Sequence, residues 1–220
     1  MNALLLLTEM LLSSLILIYL FKKEKYEGLY LWILIFSMIS GIISQKFITI
    51  SNLEFNLGIA INTLTFVVCN IINQKKGPKE ITNVLTIIIL SNVILYSFST
   101  VSTFLTSGDI KELENQSFNE LFNLNNRVYF ANIISLIISI WINSNLYHQI
   151  RQIKNKIIFS NIISIVIINL IESILFCLIA YLFEISFLNI IELIFIRYLF
   201  KTIIGLVSII VIYIINKIER

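Results

Sequence analysis

Long apolar runs alternate with short polar stretches along the whole chain. The first, ALLLLTEMLLSSLILIYLF, begins at Ala3 and carries a single acid, Glu9, before KKEKYEG interrupts it. Comparable runs recur to the end of the sequence, each close to the roughly 20 residues a helix needs to cross a hydrocarbon core about 30 Å thick. The pattern predicts helices at residues 3–21, 29–48, 57–73, 81–104, 127–147, 157–182 and 190–215. The expected fold class is therefore an all-α integral membrane protein, a bundle of about seven transmembrane helices in which a six-helix core follows an N-terminal span. Residues 1–220 form one transmembrane domain in this reading. The first run has no basic residues ahead of it, contains Glu9 and lacks a small-residue cleavage site after it, so it is expected to be a retained span rather than a secretory signal.

Composition agrees with the pattern. Hydrophobic residues make up 58% of the chain, charged residues 13%, and the mean hydropathy is +0.92, which excludes a water-soluble domain. Cys69 and Cys177 both fall inside apolar runs, so no disulfide framework is indicated. Charge sorts the connections into two kinds. Lys22, Lys23 and Lys25 fill the first, Lys75, Lys76 and Lys79 the third, Arg151, Lys154 and Lys156 the fifth, and Lys217 and Arg220 the tail. The others carry Glu54, then Asp109, Glu112, Glu114 and Glu120 against Lys111, then Glu184. The positive-inside rule predicts an N-terminus outside and a C-terminus in the cytoplasm, in a multi-pass protein of the cytoplasmic (inner) membrane. The net charge of +3 follows from this sorting and does not suggest nucleic acid as a partner. The long fourth connection has an amphipathic pattern, with Leu113, Phe118, Leu121 and Phe122, and is expected to lie along the outer surface.

Ionised groups inside apolar runs are costly, at least about 2.5–3.5 kcal/mol each at mid-membrane, and so mark functional candidates. Glu172 interrupts the sixth run and Lys201 the seventh. Counted from the connection the two runs share, they lie at depths that differ by roughly a turn or so, close enough for their side chains to meet. Arg197 lies one turn before Lys201 on the same face, and with Glu192 it is expected to snorkel toward water. Asn169 shares a face with Glu172, and Asn70 and Asn143 interrupt the third and fifth runs. The sole histidine, His148, sits at a helix end. Metal-ligand clusters, glycine-rich phosphate loops and nucleophile elbows are missing, so neither an enzyme nor a metal or other cofactor is expected.

These motifs resemble those of the queuosine precursor transporter family, also called the vitamin uptake transporter family. KYEGLYLWILIFSMISGIISQKF is similar to a family stretch with a Lys near the end of a span, here Lys46, five positions after Gly41 where the family has Asn. LGIAINTLTFVVCNIINQKKGPKE resembles the family's strongest motif, with Gly58, Gly77 and Lys79 in place, Asn70 standing for an Asp, Gln74 for a Glu and Lys76 for a Tyr. In NRVYFANIISLIISIWINSNLYH, Arg127, Ala131, Ser139 and His148 match, and Asn143 stands at an aspartate position. In SNIISIVIINLIESILFCLIAYLF, Ser164 and Asn169 fit, Ser160 replaces an Arg and Glu172 stands for an Asp. Tyr198 and Lys201 reproduce a Tyr-x-x-Lys.

The resemblance implies an importer of 7-deazaguanine bases that feed queuosine, a tRNA modification. The expected partners are that modified purine base and the lipid bilayer, with an energising partner or a homodimer left open. Glu172 would accept the ring N–H and exocyclic amine together, with Asn169, Asn70 and Asn143 supplying amide contacts. Lys201 would neutralise Glu172 in the empty state, Lys46 would play a similar part elsewhere, and Phe66 and Phe176 would stack on the ring. The alternatives are the substrate-binding membrane component of an energy-coupling-factor vitamin importer and a membrane ligand sensor.

Overall fold

The computed structural model describes residues 2–50, 53–105, 126–154 and 156–219. The described residues form six α-helices and one β-hairpin: α1 (Asn2–Ile43), β1 (Phe47–Ile50), β2 (Leu53–Asn56), α2 (Ile59–Lys76), α3 (Ile81–Phe104), α4 (Asn126–Lys154), α5 (Ile157–Tyr181) and α6 (Phe187–Glu219). All of these helices except α2 are long and apolar enough to cross a membrane. The amphipathic connection and its acids, residues 106–125, lie outside the described residues.

Helix α1 is two arms. Lys25 has φ 50° and ψ −125°, which breaks the helical path. Trp32 Nε1 donates to the Ser13 carbonyl at 3.1 Å, although 19 residues separate them. In a straight helix they would stand roughly 28 Å apart, so the arms fold back on one another. Gly28 permits this close approach, because a Cβ there would lie 2.4 Å from the Leu20 carbonyl oxygen.

The second arm stops at Ile43, short of the predicted end at residue 48. After a turn at Ser44 and Gln45 the apolar, β-branched FITI continues as β1, paired antiparallel with β2 in the register Phe47↔Asn56 to Ile50↔Leu53. Lys46 consequently lies between helix and strand, exposed, rather than within a span. Strands are recognised by period 2 over several residues, and a four-residue strand continuing an apolar helix offers no such signal.

Helix α2 forms the axis of the bundle: every residue from Ile59 to Asn73 is buried. Its polar side chains reach outward to the neighbours. Asn62 Nδ2 donates to Asn132 Oδ1 on α4 at 2.8 Å and Asn62 Oδ1 accepts from Ser40 on α1, while Asn73 Nδ2 donates to the Ser144 carbonyl on α4 at 2.8 Å. The outer surface is the reverse of a water-soluble protein. Leu12, Phe98, Val101 and Ile210 are exposed, while Asn62, Asn143, Glu172 and Lys201 are fully enclosed. Apolar groups that face lipid and polar groups that satisfy one another inside are what a bilayer demands.

The two ends of the bundle differ in charge. At one, Glu219 accepts from Tyr26 at 2.6 Å and pairs with Lys75 at 3.0 Å, and Tyr30 donates to Glu80 at 2.6 Å, tying the break in α1 to the ends of α2, α3 and α6. At the other, Arg127 of α4 donates to the Ile179 and Leu182 carbonyls and pairs with Glu184 at 2.9 Å, capping the last carbonyls of α5.

Candidate functional site

Helices α5 and α6 run side by side into the hairpin end, and their facing sides hold the buried charges. On α6, Arg197 and Lys201 are four residues apart and share a face. Both turn toward Glu172 of α5: Arg197 Nη2 donates to Glu172 Oε1 at 2.8 Å, and Lys201 Nζ donates to Oε2. The three side chains are between 0 and 2% exposed, so the cluster carries two cations against one carboxylate away from solvent. Arg197 does not snorkel; its second amino group donates to Asn56 Oδ1 at the end of β2, which ties the hairpin to the charge cluster.

Two aromatic rings complete the enclosure. Phe176, one turn beyond Glu172 on α5, lies beneath the Arg197 guanidinium with 3.7 Å from Cζ to the ring centroid, and Phe66 of α2 lies 5.3 Å from Lys201 Nζ. Such cation–π contacts are worth about 2 kcal/mol or more when desolvated. The backbone is held as well. Asn169 Nδ2 donates to the Lys201 carbonyl at 3.0 Å, and Gly205, one turn on, lets α6 approach so closely that a Cβ there would stand 2.5 Å from Ile165 Cγ2.

Hydrogen-bonding capacity remains unused beside this cluster. Arg197 Nε, Asn169 Oδ1 and the Tyr181 hydroxyl are buried without partners. Arg197 and Tyr181 border a crevice between the hairpin, α5 and α6 that is also lined by Phe47, Phe55 and Phe176. Its volume is about 10 Å³, at the lower edge of what one water needs. The arrangement is closed, aromatic-walled and supplied with unspent donors and acceptors.

The six candidates from the sequence fall in three places. Glu172, Lys201 and Asn169 come together as described. Asn143 Nδ2 donates to Asn70 Oδ1 at 2.8 Å, and Asn70 Nδ2 donates to Asn161 Oδ1 at 2.9 Å, so these two candidates form a separate amide cluster joining α2, α4 and α5. Interhelical amide bonds of this kind hold membrane helices together, although Asn143 Oδ1 is itself buried without a partner. Lys46 is in neither cluster; it lines a cavity shared by the hairpin and the first arm of α1. The sequence pattern places Asn56 in a connection, and only the hairpin brings it to Arg197. Burial of Arg197 had one signal, its four-residue spacing from Lys201 on a single face.

The family model described as "Putative vitamin uptake transporter" matches residues 56–215, well over half of the chain. The chain belongs to this family. It is a multi-pass membrane transporter, and no curated protein and no solved structure matches it. In this transporter the matched segment begins at Asn56 and contains the whole charge cluster, whereas α1, β1 and Lys46 precede it.

Proposed function

We propose that the protein takes up a queuosine precursor, a 7-deazaguanine base, across the cytoplasmic membrane for salvage into tRNA modification, and that Glu172, Arg197 and Lys201 bind it. The observation that carries this reading is the buried carboxylate shared by two cations beneath aromatic rings, within the segment that matches the transporter family.

The chemistry of the cargo fits that cluster. A guanine-type edge presents a carbonyl acceptor, a ring N–H and an exocyclic amine in a row. Glu172 accepts from the two donors, and the Lys201 ammonium, released from the carboxylate, donates to the carbonyl. Each carboxylate oxygen has a second lone pair, so Arg197 stays on Glu172 Oε1 while the base is bound, and the carboxylate keeps a counter-charge in both states. Phe176 and Phe66 already flank the cations and would sandwich the flat ring, while Asn169 offers its unused carbonyl oxygen. Asn70 and Asn143 act in this account through the helix contacts they hold.

In this reading the two arms of α1 are two crossings and α2, too polar to face lipid but enclosed by its neighbours, is a third, which with α3 to α6 makes seven. The lysine-rich end faces the cytoplasm and the hairpin end faces outward, with the N-terminus outside and the C-terminus inside. Cargo enters beside the hairpin, through the crevice that Arg197 and Asn56 now close.

Direct binding tests the reading. Purified protein is titrated with a 7-deazaguanine base and, separately, with the same ring lacking the exocyclic amine. Tighter binding of the complete edge, lost in Lys201→Met, supports the assignment. Equal binding of both rings overturns it, because a site built to hydrogen-bond an amine rejects the analogue that lacks one.

A further inference from the structure

We propose that the cavity between the first arm of α1 and the β-hairpin binds the phosphoethanolamine headgroup of a membrane lipid, separately from the transport site. This cavity has a volume of about 350 Å³, within the range of small-ligand pockets, and its lining is divided between polar and apolar groups. The first arm contributes Leu5, Leu6 and Glu9, and the hairpin side contributes Lys46 and Thr49. Asn2 Nδ2 donates to the Thr49 carbonyl at 2.8 Å, which staples the start of the helix to the strand and builds the cavity wall.

Glu9 supplies the reason to expect a ligand. Its Oε1 is buried and has no hydrogen-bond partner. A carboxylate oxygen left in that state is costly, and an ammonium donor is the group that satisfies it best. On the same cavity, Lys46 offers three donors and forms no ion pair among the described residues, so it calls for an anionic acceptor. A ligand complementary to both carries a primary ammonium and an anion a short distance apart.

The setting identifies the source as lipid. Leu4, Leu7 and Leu11 flank Glu9 on the same arm and are 67, 53 and 58% exposed, an apolar surface for acyl chains beside the cavity. Glu9 lies roughly two helical turns below Asn2, within reach of the boundary between headgroups and hydrocarbon. Phosphatidylethanolamine places its ammonium on Glu9 and its phosphate on Lys46. Phosphatidylcholine has the same phosphate but no N–H to donate, and phosphatidylglycerol has no cation. All but the edge of this cavity precedes the segment that matches the transporter family, so the site belongs to the N-terminal part of the chain.

The test is lipid retention by the purified full chain exchanged into bilayer discs of phosphatidylethanolamine, phosphatidylcholine and phosphatidylglycerol in equal parts, measured by native mass spectrometry. Phosphatidylethanolamine is expected to be retained about tenfold over phosphatidylcholine, the ratio of one charge-assisted hydrogen bond. Glu9→Leu, a change suited to a lipid-facing helix, is expected to bring that ratio close to one, whereas Lys46→Met, at an exposed position, is expected to lower retention of both lipids and leave their ratio unchanged, the protein staying monodisperse in each case. A ratio near one in the unmodified chain, or a preference that survives Glu9→Leu, overturns the proposal. Soluble O-phosphoethanolamine that displaces the lipid at equal concentration overturns the lipid as the source.

Discussion

Replacing Glu172 with Gln removes the carboxylate that Arg197 and Lys201 share and leaves two cations enclosed at 2% exposure or less. Breaking a buried pair by deleting one partner costs about 3–5 kcal/mol, because the survivor keeps its desolvation penalty without its counter-charge. Here there are two survivors. Lys201 can shed its proton, whereas the Arg197 guanidinium cannot. At about 2–4 °C per kcal/mol for a chain of this size, the midpoint of thermal unfolding falls by roughly 6–20 °C. Lys201→Met has the opposite logic. It leaves Glu172 and Arg197 as a one-to-one pair, still joined to Asn56, and puts an apolar chain of similar length against Phe66. The expected change is within about 1 kcal/mol. The assay is thermal unfolding of both variants in one detergent, read by the monodisperse fraction on gel filtration. A Lys201→Met protein that loses as much stability as Glu172→Gln refutes the charge argument, and so does a Glu172→Gln protein that melts with the parent.

Three further outcomes follow from single contacts. Gly205→Ala puts a methyl group 2.5 Å from Ile165 Cγ2 and is expected to cost about 1–3 kcal/mol, with a positive coupling to Ile165→Ala in a double-mutant cycle of unfolding midpoints. Lys25→Gly relieves a residue held at φ 50° and is expected to stabilise the fold by about 1 kcal/mol or more, whereas Lys25→Val destabilises it; denaturation of the two variants side by side decides. Asn70→Leu strips Asn143 Nδ2 of its acceptor and Asn161 Oδ1 of its donor, for a loss of about 1–3 kcal/mol, and leaves base affinity per folded molecule unchanged; a change in affinity at full stability would assign Asn70 to the site.

Apolar runs of membrane length stood out because a bilayer imposes one length on every helix, and the charged connections between them repeated a simple alternation. The break at Lys25 was visible as a lysine-rich interruption, although a single strained residue, not a loop, makes the turn. The hairpin was not visible, since FITI prolongs an apolar run and only the three polar residues Ser44, Gln45 and Lys46 separate it from the helix. The meeting of Glu172 and Lys201 could be anticipated from depth, because charge in hydrocarbon has few affordable outcomes. Arg197 could not be resolved that way: in the outer half of the predicted span, snorkelling and burial are both open, and the structure gives it a partner, Asn56, that the hairpin supplies. The partners of the asparagines are not legible in the sequence for a related reason. Amides satisfy one another in many combinations, and spacing along α2 does not reveal that Asn70 turns to Asn143 and Asn161 while Asn62 turns to Asn132.

Uptake tests the central claim most directly. Cells that lack both synthesis and salvage of queuosine precursors are given a labelled 7-deazaguanine base and express the parent chain or Lys201→Met, which is expected to stay folded. Queuosine in tRNA that appears with the parent chain and is abolished in the variant, at equal membrane expression, is the predicted result. The same accumulation in both would remove the Glu172, Arg197 and Lys201 cluster from cargo binding, and no accumulation with the parent chain would contradict the proposed cargo.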